Sequence, residues 1–475
     1  MTGFLIKYRD FLHLLFSFLM TVIPVMVIPG LSILVAQDKP NIVFILADDL
    51  GYTDLGSYGN PFNETPHIDS LARGGMKFTQ AYASSPVCSP SRAGFLTGIH
   101  PARLHLTNFL VGGRTDPSSP VLPAQWTKYL SSNETTLAEI FSTEGYSCGM
   151  VGKWHLGTAD SLLPSAQGFS YERMIAKNGL DYYNYTITRK NRTVFEDHGE
   201  NYLTDKLTDY GVDFIRENKA RPFFLYMAYS APHVVIVPRG DKLRKYAFKY
   251  EKLGGKYNPS YAAMLESLDD GVGRIIQTLR EAGLMENTLL IFTSDNGGVG
   301  LPELGPIPTN LEPLRAWKGH VYEGGIRVPM ILHWPGKIKA GQTNGHYVTN
   351  TDYFPTILEL LEIEDTFERR EGKSMLPIWF DPSTAFQRGP VYWHYPHFSN
   401  QLGRPSGAMR DGVFKLVESY ETGKVELFNL AEDIGEKNDL SVAHPDKVKT
   451  MMADFRNWQK KLRVNMPLPN PDFKK

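Results

Sequence analysis

Four runs of consecutive apolar residues, each broken off by an abrupt polar step, set the pattern of this chain: NIVFILADDLG from Asn41, SCGMVGKWHLG from Ser147, PFFLYMAYSAPH from Pro222 and NTLLIFTSDNGG from Asn287. A strand buried on both faces of a parallel sheet reads this way, its carboxyl end delivering the polar side chains. Helix-period segments lie between them. TPHIDSLARGG has Thr65 as a cap and Pro66 in the first turn; NETTLAEIFSTEGY follows; in YAAMLESLDDGVGRIIQTLREAG, Gly271 and Gly273 weaken an amphipathic pattern. MKFTQAYA and VPMILHWPG add two further strands. Strands alternating with helices over this length predict an α/β fold, a large, mainly parallel sheet flanked by helices.

The rhythm changes after Ile378. VYWHYPHFSN, SGAMRDGVFKLVES and KVELFNLAED read as short antiparallel strands with turns such as Asp411-Gly412 and Thr422-Gly423, and HPDKVKTMMADFRNWQKKL reads as a closing helix. A large domain over residues 37–378 and a smaller C-terminal α+β unit with an antiparallel sheet over 379–475 are therefore expected. The proline-rich LPELGPIPTN reads as an exposed loop.

The N-terminal apolar pattern is of another kind. Lys7 and Arg9 precede FLHLLFSFLMTVIPVMVIPGLSILVA, which ends at Ala36: basic, apolar, then small, the order of a signal peptide. Residues 1–36 are thus expected to direct export, to the periplasm or out of the cell, with membrane attachment only where this segment stays uncleaved. The 475 residues carry a formal net charge of -1 with dispersed lysine and arginine, which offers nucleic acid no footprint and leaves any anionic substrate to local charge. Two cysteines occur, Cys88 and Cys148; a bridge between them is one reading, though a core of this size needs none.

Chemistry-bearing residues fall where the apolar runs end: Asp48-Asp49, Lys153 with His155, His233, and Asp295-Asn296. Sites in open α/β sheets form at the carboxyl ends of strands, so these segments are expected to converge. Asp48, Asp49, Asp295 and Asn296 offer only oxygen donors, which favours a hard cation such as Ca²⁺ over Zn²⁺. Lys153, His155, His233, Lys318 and Arg92 supply cations for an oxyanion and groups that move a proton. Cys88, in SSPVCSPSRAGFLTG, is a candidate nucleophile, yet soft sulfur suits neither a hard cation nor neighbouring carboxylates.

CSPSRAGFLTG, ADDLG, GKWHLG, SAPH, TSDNG and AWKGH together resemble the type I, formylglycine-dependent sulfatases of the alkaline phosphatase superfamily, and among these the bacterial polysaccharide sulfatases. The resemblance spans nearly all of the chain after Ala36 and implies the roles that follow. A sulfatase-maturing enzyme oxidises Cys88 to 3-oxoalanine (formylglycine), whose hydrated aldehyde attacks sulfur through one hydroxyl, so the working nucleophile is a hard oxygen. Asp48, Asp49, Asp295, Asn296 and the residue at Cys88 hold one Ca²⁺, and Arg92 holds the diol. Lys153 and Lys318 neutralise sulfate oxygens, His233 protonates the leaving oxygen, and His155 takes the remaining hydroxyl proton as sulfate departs. The expected substrate is a sulfated oligo- or polysaccharide, with the 37–378 domain catalytic. In YWHYPHFSNQLGRPSG, His394, His397 and Arg404 are candidate glycan contacts, with Trp393 or Tyr395 stacking on a ring. Alternatives are a phosphonate or phosphodiester hydrolase of the same superfamily, a noncatalytic glycan-binding protein, and a hydrolase using unmodified Cys88.

Overall fold

The computed structural model describes residues 39–176, 181–301, 307–366 and 369–473. The expected signal peptide, 1–36, lies outside these, as does most of the Pro-rich LPEL segment. Among the described residues no helix is long and apolar enough to cross a membrane.

The strands, in chain order, are β1 (Asn41–Ala47), β2 (Met76–Tyr82), β3 (Val121–Leu122), β4 (Ser147–Gly152), β5 (Tyr171–Ile175), β6 (Asn184–Arg189), β7 (Arg192–His198), β8 (Phe223–Ala228), β9 (Thr288–Ser294), β10 (Arg327–His333), β11 (Gln342–Thr349), β12 (Val391–Tyr395), β13 (Ser406–Asp411), β14 (Phe414–Ser419), β15 (Val425–Asn429) and β16 (Leu468–Pro469). Ten of them form one sheet in the order β11-β2-β10-β9-β1-β8-β4-β5-β6-β7. The four apolar runs occupy its centre: β9, β1, β8 and β4 are neighbours and mutually parallel. Their side chains are buried on both faces, which is why these segments lack a polar alternation. The register is level: Leu46 faces Thr293 on one side and Ala228 on the other, and Gly152 faces Ala228. Strands that end level deliver Asp295, Asp48 and Lys153 to one edge.

Outside this centre the sheet is mixed. β10 runs antiparallel to both β9 and β2, and β5, β6 and β7 form an antiparallel meander at the far edge. The helix Pro259–Glu281 passes uninterrupted through both glycines, because they are contact points: a Cβ on Gly271 would lie 2.6 Å from Thr208 Oγ1 and 2.8 Å from the Tyr229 hydroxyl. Thr65 does not cap the helix Pro66–Gly74 through its side chain. Asp269 of the long helix does so instead, accepting from the amides of His67 at 3.1 Å and Ile68 at 2.8 Å.

The C-terminal strands pair as expected, β12-β13-β14-β15, all antiparallel, with the helix Pro445–Leu462 packed on them. Ile378 lies within the helix Leu376–Phe380, and Ile378 and Trp379 belong to the large sheet's core. The residues from Asn41 onward form one compact unit.

Candidate active site

The helix Cys88–Thr97 begins beside the carboxyl ends of the central strands, and all ten of its residues are buried. Pro90 sits in its first turn, where a missing amide costs no helical hydrogen bond. Gly98, at φ 68°, ends it with an amide that donates to Gly94. Cys88 therefore lies at a helix N-terminus, where the dipole favours negative charge. Two residues at the site hold left-handed backbone conformations that β-carbon residues rarely adopt, Asp49 at φ 64° and His155 at φ 59°. Such conformations turn these side chains out of the strand direction and persist only where surrounding bonds fix them.

Three carboxylates and three cations interlock here. Lys153 Nζ is 2.5 Å from Asp48 Oδ2, and Lys318 Nζ is 2.7 Å from Asp49 Oδ2. Arg92 donates from Nε to Asp295 Oδ2 at 2.9 Å, with Nη2 2.8 Å from the same oxygen, and from Nη1 to the Lys153 carbonyl at 2.6 Å. Burial alone would raise the Asp48 pKa, but Lys153, His233, Arg92 and Lys318 together drive it well below the usual carboxylate range. For Asp295, burial and the charge of Asp48 win over Arg92 and push it up to about 7. The two carboxylates are thus held at opposite ends of the scale, and a cation placed between them would relieve the second.

Two oxygens here test whether a metal fits. Asp48 Oδ1 and Asn296 Oδ1 are buried without any hydrogen-bond partner. The Asn296 amide is oriented by donating to Asp49 Oδ1 at 2.7 Å and to the Gly297 carbonyl at 2.9 Å, which leaves its oxygen free. Asp48, Asp295 and the Cys88 sulfur offer ligand atoms within 4.8 Å of one another, as do Asp48, Asp49 and His233. Orphaned buried oxygens in an acidic, oxygen-rich cluster are what a hard divalent cation satisfies.

The proton-moving groups stand around this cluster. His155 Nδ1 is 3.2 Å from Cys88 Sγ. His233 Nδ1 donates to the Val234 carbonyl, which directs Nε2 toward Asp49 Oδ2 at 3.5 Å. Burial holds both imidazoles down, His233 to about 4.

Several positioning residues had no signal in the sequence pattern. The Tyr182 hydroxyl donates to the carbonyls of Ser230 (2.9 Å) and His233 (3.0 Å), pinning the loop after β8. Asn350 donates to Ser91, whose hydroxyl donates to the Asp295 carbonyl, tying the cysteine helix to the end of β9. Asn350 lies 259 residues from Ser91, too far for any local pattern to reveal.

The candidate glycan contacts are corrected. His394 spends both ring nitrogens internally, on the Tyr420 hydroxyl at 2.7 Å and the Asn465 carbonyl at 3.0 Å. His397 is buried, with Nε2 2.8 Å from Thr107 Oγ1. Arg404 is exposed but clamped by Glu421 and Asp116 at 2.6 Å each. Trp393 is buried and donates to the Ala83 carbonyl; buried Tyr395 donates to Asn108. This stretch supplies core and a surface clamp. Cys88 and Cys148 are both free thiols, so the bridge does not form.

Comparison with known proteins now bears on the cluster. Residues 40–363 match the family model described as Sulfatase, and 316–464 match that described as N-sulphoglucosamine sulphohydrolase, C-terminal. The N-acetylgalactosamine-6-sulfatase of Rattus norvegicus is 34% identical, with 94% of this chain and 91% of that one covered. A Sulfatase of Formosa agariphila is 30% identical over 89% of each. The solved structure of Ps i-CgsB in complex with k-i-k-neocarrahexaose superposes with a TM-score of 0.76 at 28% identity, covering 88% of this chain and 92% of that one.

Proposed function

Because the chain belongs to the sulfatase family and is a sulfuric ester hydrolase, we propose that it removes sulfate from a sulfated carbohydrate, using Cys88 in its formylglycine form and one Ca²⁺. The observation that carries this reading is the meeting of Cys88 with Asp48 and Asp295 at a helix N-terminus, walled by Lys153 and Lys318. The carbohydrate class is supported by the relatives, one named for an N-acetylgalactosamine sulfate and one solved with a neocarrahexaose.

Ca²⁺ would be held by Asp48, Asp49, Asp295 and Asn296 with the modified residue, and when bound supplies a Lewis acid that orients the nucleophile. Lys153 and Lys318 pair with two of these carboxylates, Asp48 and Asp49. With a divalent cation held by those carboxylates, both lysines would be left to pair with a sulfate ester, and no buried charge would stand unpaired. Arg92, fixed by Asp295 and the Lys153 carbonyl, sets the position of the nucleophile. His233 Nε2 is placed to give a proton to the leaving oxygen, and His155 Nδ1 to take one from the residue at Cys88. A sulfatase-maturing enzyme is the required partner, and the 1–36 segment supports export to the periplasm or beyond.

The test compares aryl sulfate, sulfated oligosaccharide and phosphodiester hydrolysis by protein co-expressed with a maturing enzyme. The expected preference is for the sulfated oligosaccharide, and a dominant phosphodiester activity would assign the chain to the phosphonate and phosphodiester hydrolases.

A further inference from the structure

A cavity of about 650 Å³ opens on the other side of the cysteine helix, and none of the residues assigned above to sulfate, metal or proton transfer lines it. One wall is the helix Pro445–Leu462, from which Asp454, Asn457, Trp458 and Lys461 face it. Their spacing of three, four and seven residues from the first places them on one helix face. The adjoining face, with Met451, Phe455 and Leu462, packs into the core of the small sheet, and Trp458 belongs to that core as well. Ser84, Arg103 and Arg370 come from the large domain and Arg388 from the segment leading into β12, so the cavity is a cleft between the two sheets' cores.

Its chemistry is that of an anion site. The side chains of Arg370 and Arg388 are only 4% and 8% exposed, and buried guanidinium groups are costly unless anions meet them. Asp352 holds Arg388 through Nε and Nη2, and Glu371 holds Arg103 through the same two atoms. A guanidinium has five N–H donors, and the Nη1 groups of both arginines have no acceptor among the described residues. Lys461 has none either, and the Ser84 hydroxyl is buried without a partner. Burial, with His394, Arg103 and Arg388 adding to it, holds His100 in its wall down to about 3.

The cavity is also too large for a bare ion, lying within the range of about 300–1,000 Å³ typical of small-molecule sites. Beside the cations it presents acceptors in Glu371 and Asp454, the Asn457 amide, the Thr351 hydroxyl, and the aromatic pair Tyr392 and Trp458. Acceptors for hydroxyls, aromatic surface for C–H faces and cations for an acidic substituent are the complement of an anionic sugar.

We propose that this cleft binds a sulfated sugar of one or two rings, its sulfate on Arg103, Arg388 and Lys461 and its hydroxyls on Glu371, Asp454 and Asn457. The choice of a sugar sulfate over another organic anion rests on the function proposed above; the anion site itself rests on the cavity alone. The cleft gives the protein a second sugar-sulfate site separate from the one that turns substrate over.

The test is calorimetric titration of galactose 6-sulfate into the Cys88→Ala protein, which cannot turn the probe over. One bound equivalent that weakens at least tenfold in Lys461→Glu and in Arg103→Gln is expected. Lys461 is on the exposed rim, so its replacement leaves the fold intact. Both substitutions, made in mature protein without the Cys88→Ala change, are expected to leave kcat/KM for an aryl sulfate unchanged. Binding indifferent to both substitutions, or no binding, overturns the proposal. Inorganic sulfate that occupies the Lys461-sensitive site as tightly as galactose 6-sulfate also overturns it, since the sugar then contributes nothing. Aryl sulfate hydrolysis by the mature protein is read separately: its absence counts against the sulfatase mechanism and leaves the cleft result standing.

Discussion

The sulfur of Cys88 lies 3.2 Å from Nδ1 of His155, yet the surroundings keep the two from becoming a thiolate and an imidazolium. Burial raises the thiol pKa, and the pull of Lys153 and Lys318 is opposed by Asp48 and Asp295. Burial, with Lys153 and Arg92, holds the imidazole well below its usual range. A cysteine hydrolase needs the reverse, an activated thiolate beside a charged base. In unmodified, calcium-free protein at pH 7, Cys88 is therefore expected to alkylate with iodoacetamide at least tenfold more slowly than in the unfolded chain. Equal rates, followed by peptide mass, would restore the unmodified-thiol reading.

Calcium is expected to stabilise the fold as well as enable turnover, because Asp48 Oδ1 and Asn296 Oδ1 otherwise stay unsatisfied. At a free concentration one hundred times its Kd, Ca²⁺ should add about 2.7 kcal/mol. Chelation should lower Tm and abolish aryl sulfate hydrolysis, with Ca²⁺ restoring both more fully than Mg²⁺, whose small octahedral shell fits a carboxylate cluster less readily. A Tm indifferent to chelator would contradict the assigned site.

Lys318→Ala removes one member of a buried ion pair, with Asp49 fully buried and the Lys318 side chain 7% exposed. In calcium-free protein the stranded carboxylate should cost about 3–5 kcal/mol. Added Ca²⁺ should then recover more Tm in this variant than in the parent, since the ion supplies the missing charge. Activity should still fall by about 10²–10³ in kcat, because a donor to the sulfate is gone. A variant that keeps parental kcat would remove Lys318 from the sulfate cradle.

Acid should unfold the protein through histidines remote from the metal cluster. Burial holds His100 and His397 to about 3 and His394 to about 4. Their folded pKa values lie below the unfolded value of about 6.5, so the unfolded state binds more protons as pH falls through that range. The stabilisation they provide while neutral is complete above about pH 6.5 and is lost toward pH 4. Unfolding at pH 5 should take up about three protons from these groups, measurable as buffer-dependent calorimetric enthalpy. A denaturation midpoint flat from pH 6.5 to 4.5 would contradict this.

The central sheet was legible because β1, β4, β8 and β9 are buried on both faces and so write themselves as continuous apolar runs. Their polar ends then placed Asp48, Asp49, Lys153, Asp295 and Asn296 at one edge. The antiparallel meander β5–β7 left no such trace: β7 alternates little, and only Asp197 within it is buried. The cap on the Pro66 helix came from Asp269, a tertiary partner that propensity cannot see. His394 and His397 misled for the reason that a histidine near aromatic residues has one letter for two roles. Only burial, and bonds to Tyr420, Asn465 and Thr107, separate a structural pin from a ligand contact. The cleft beside Lys461 joins five distant segments, 84–103, 349–351, 370–371, 388–392 and 454–461, and had no local signature at all.

The most direct test of the mechanism is the mass of the tryptic peptide running from Phe78 to Arg92, taken from protein co-expressed with a sulfatase-maturing enzyme and active on an aryl sulfate. The account predicts the lighter aldehyde form at Cys88 in proportion to activity. Active protein carrying only the free thiol there would contradict it.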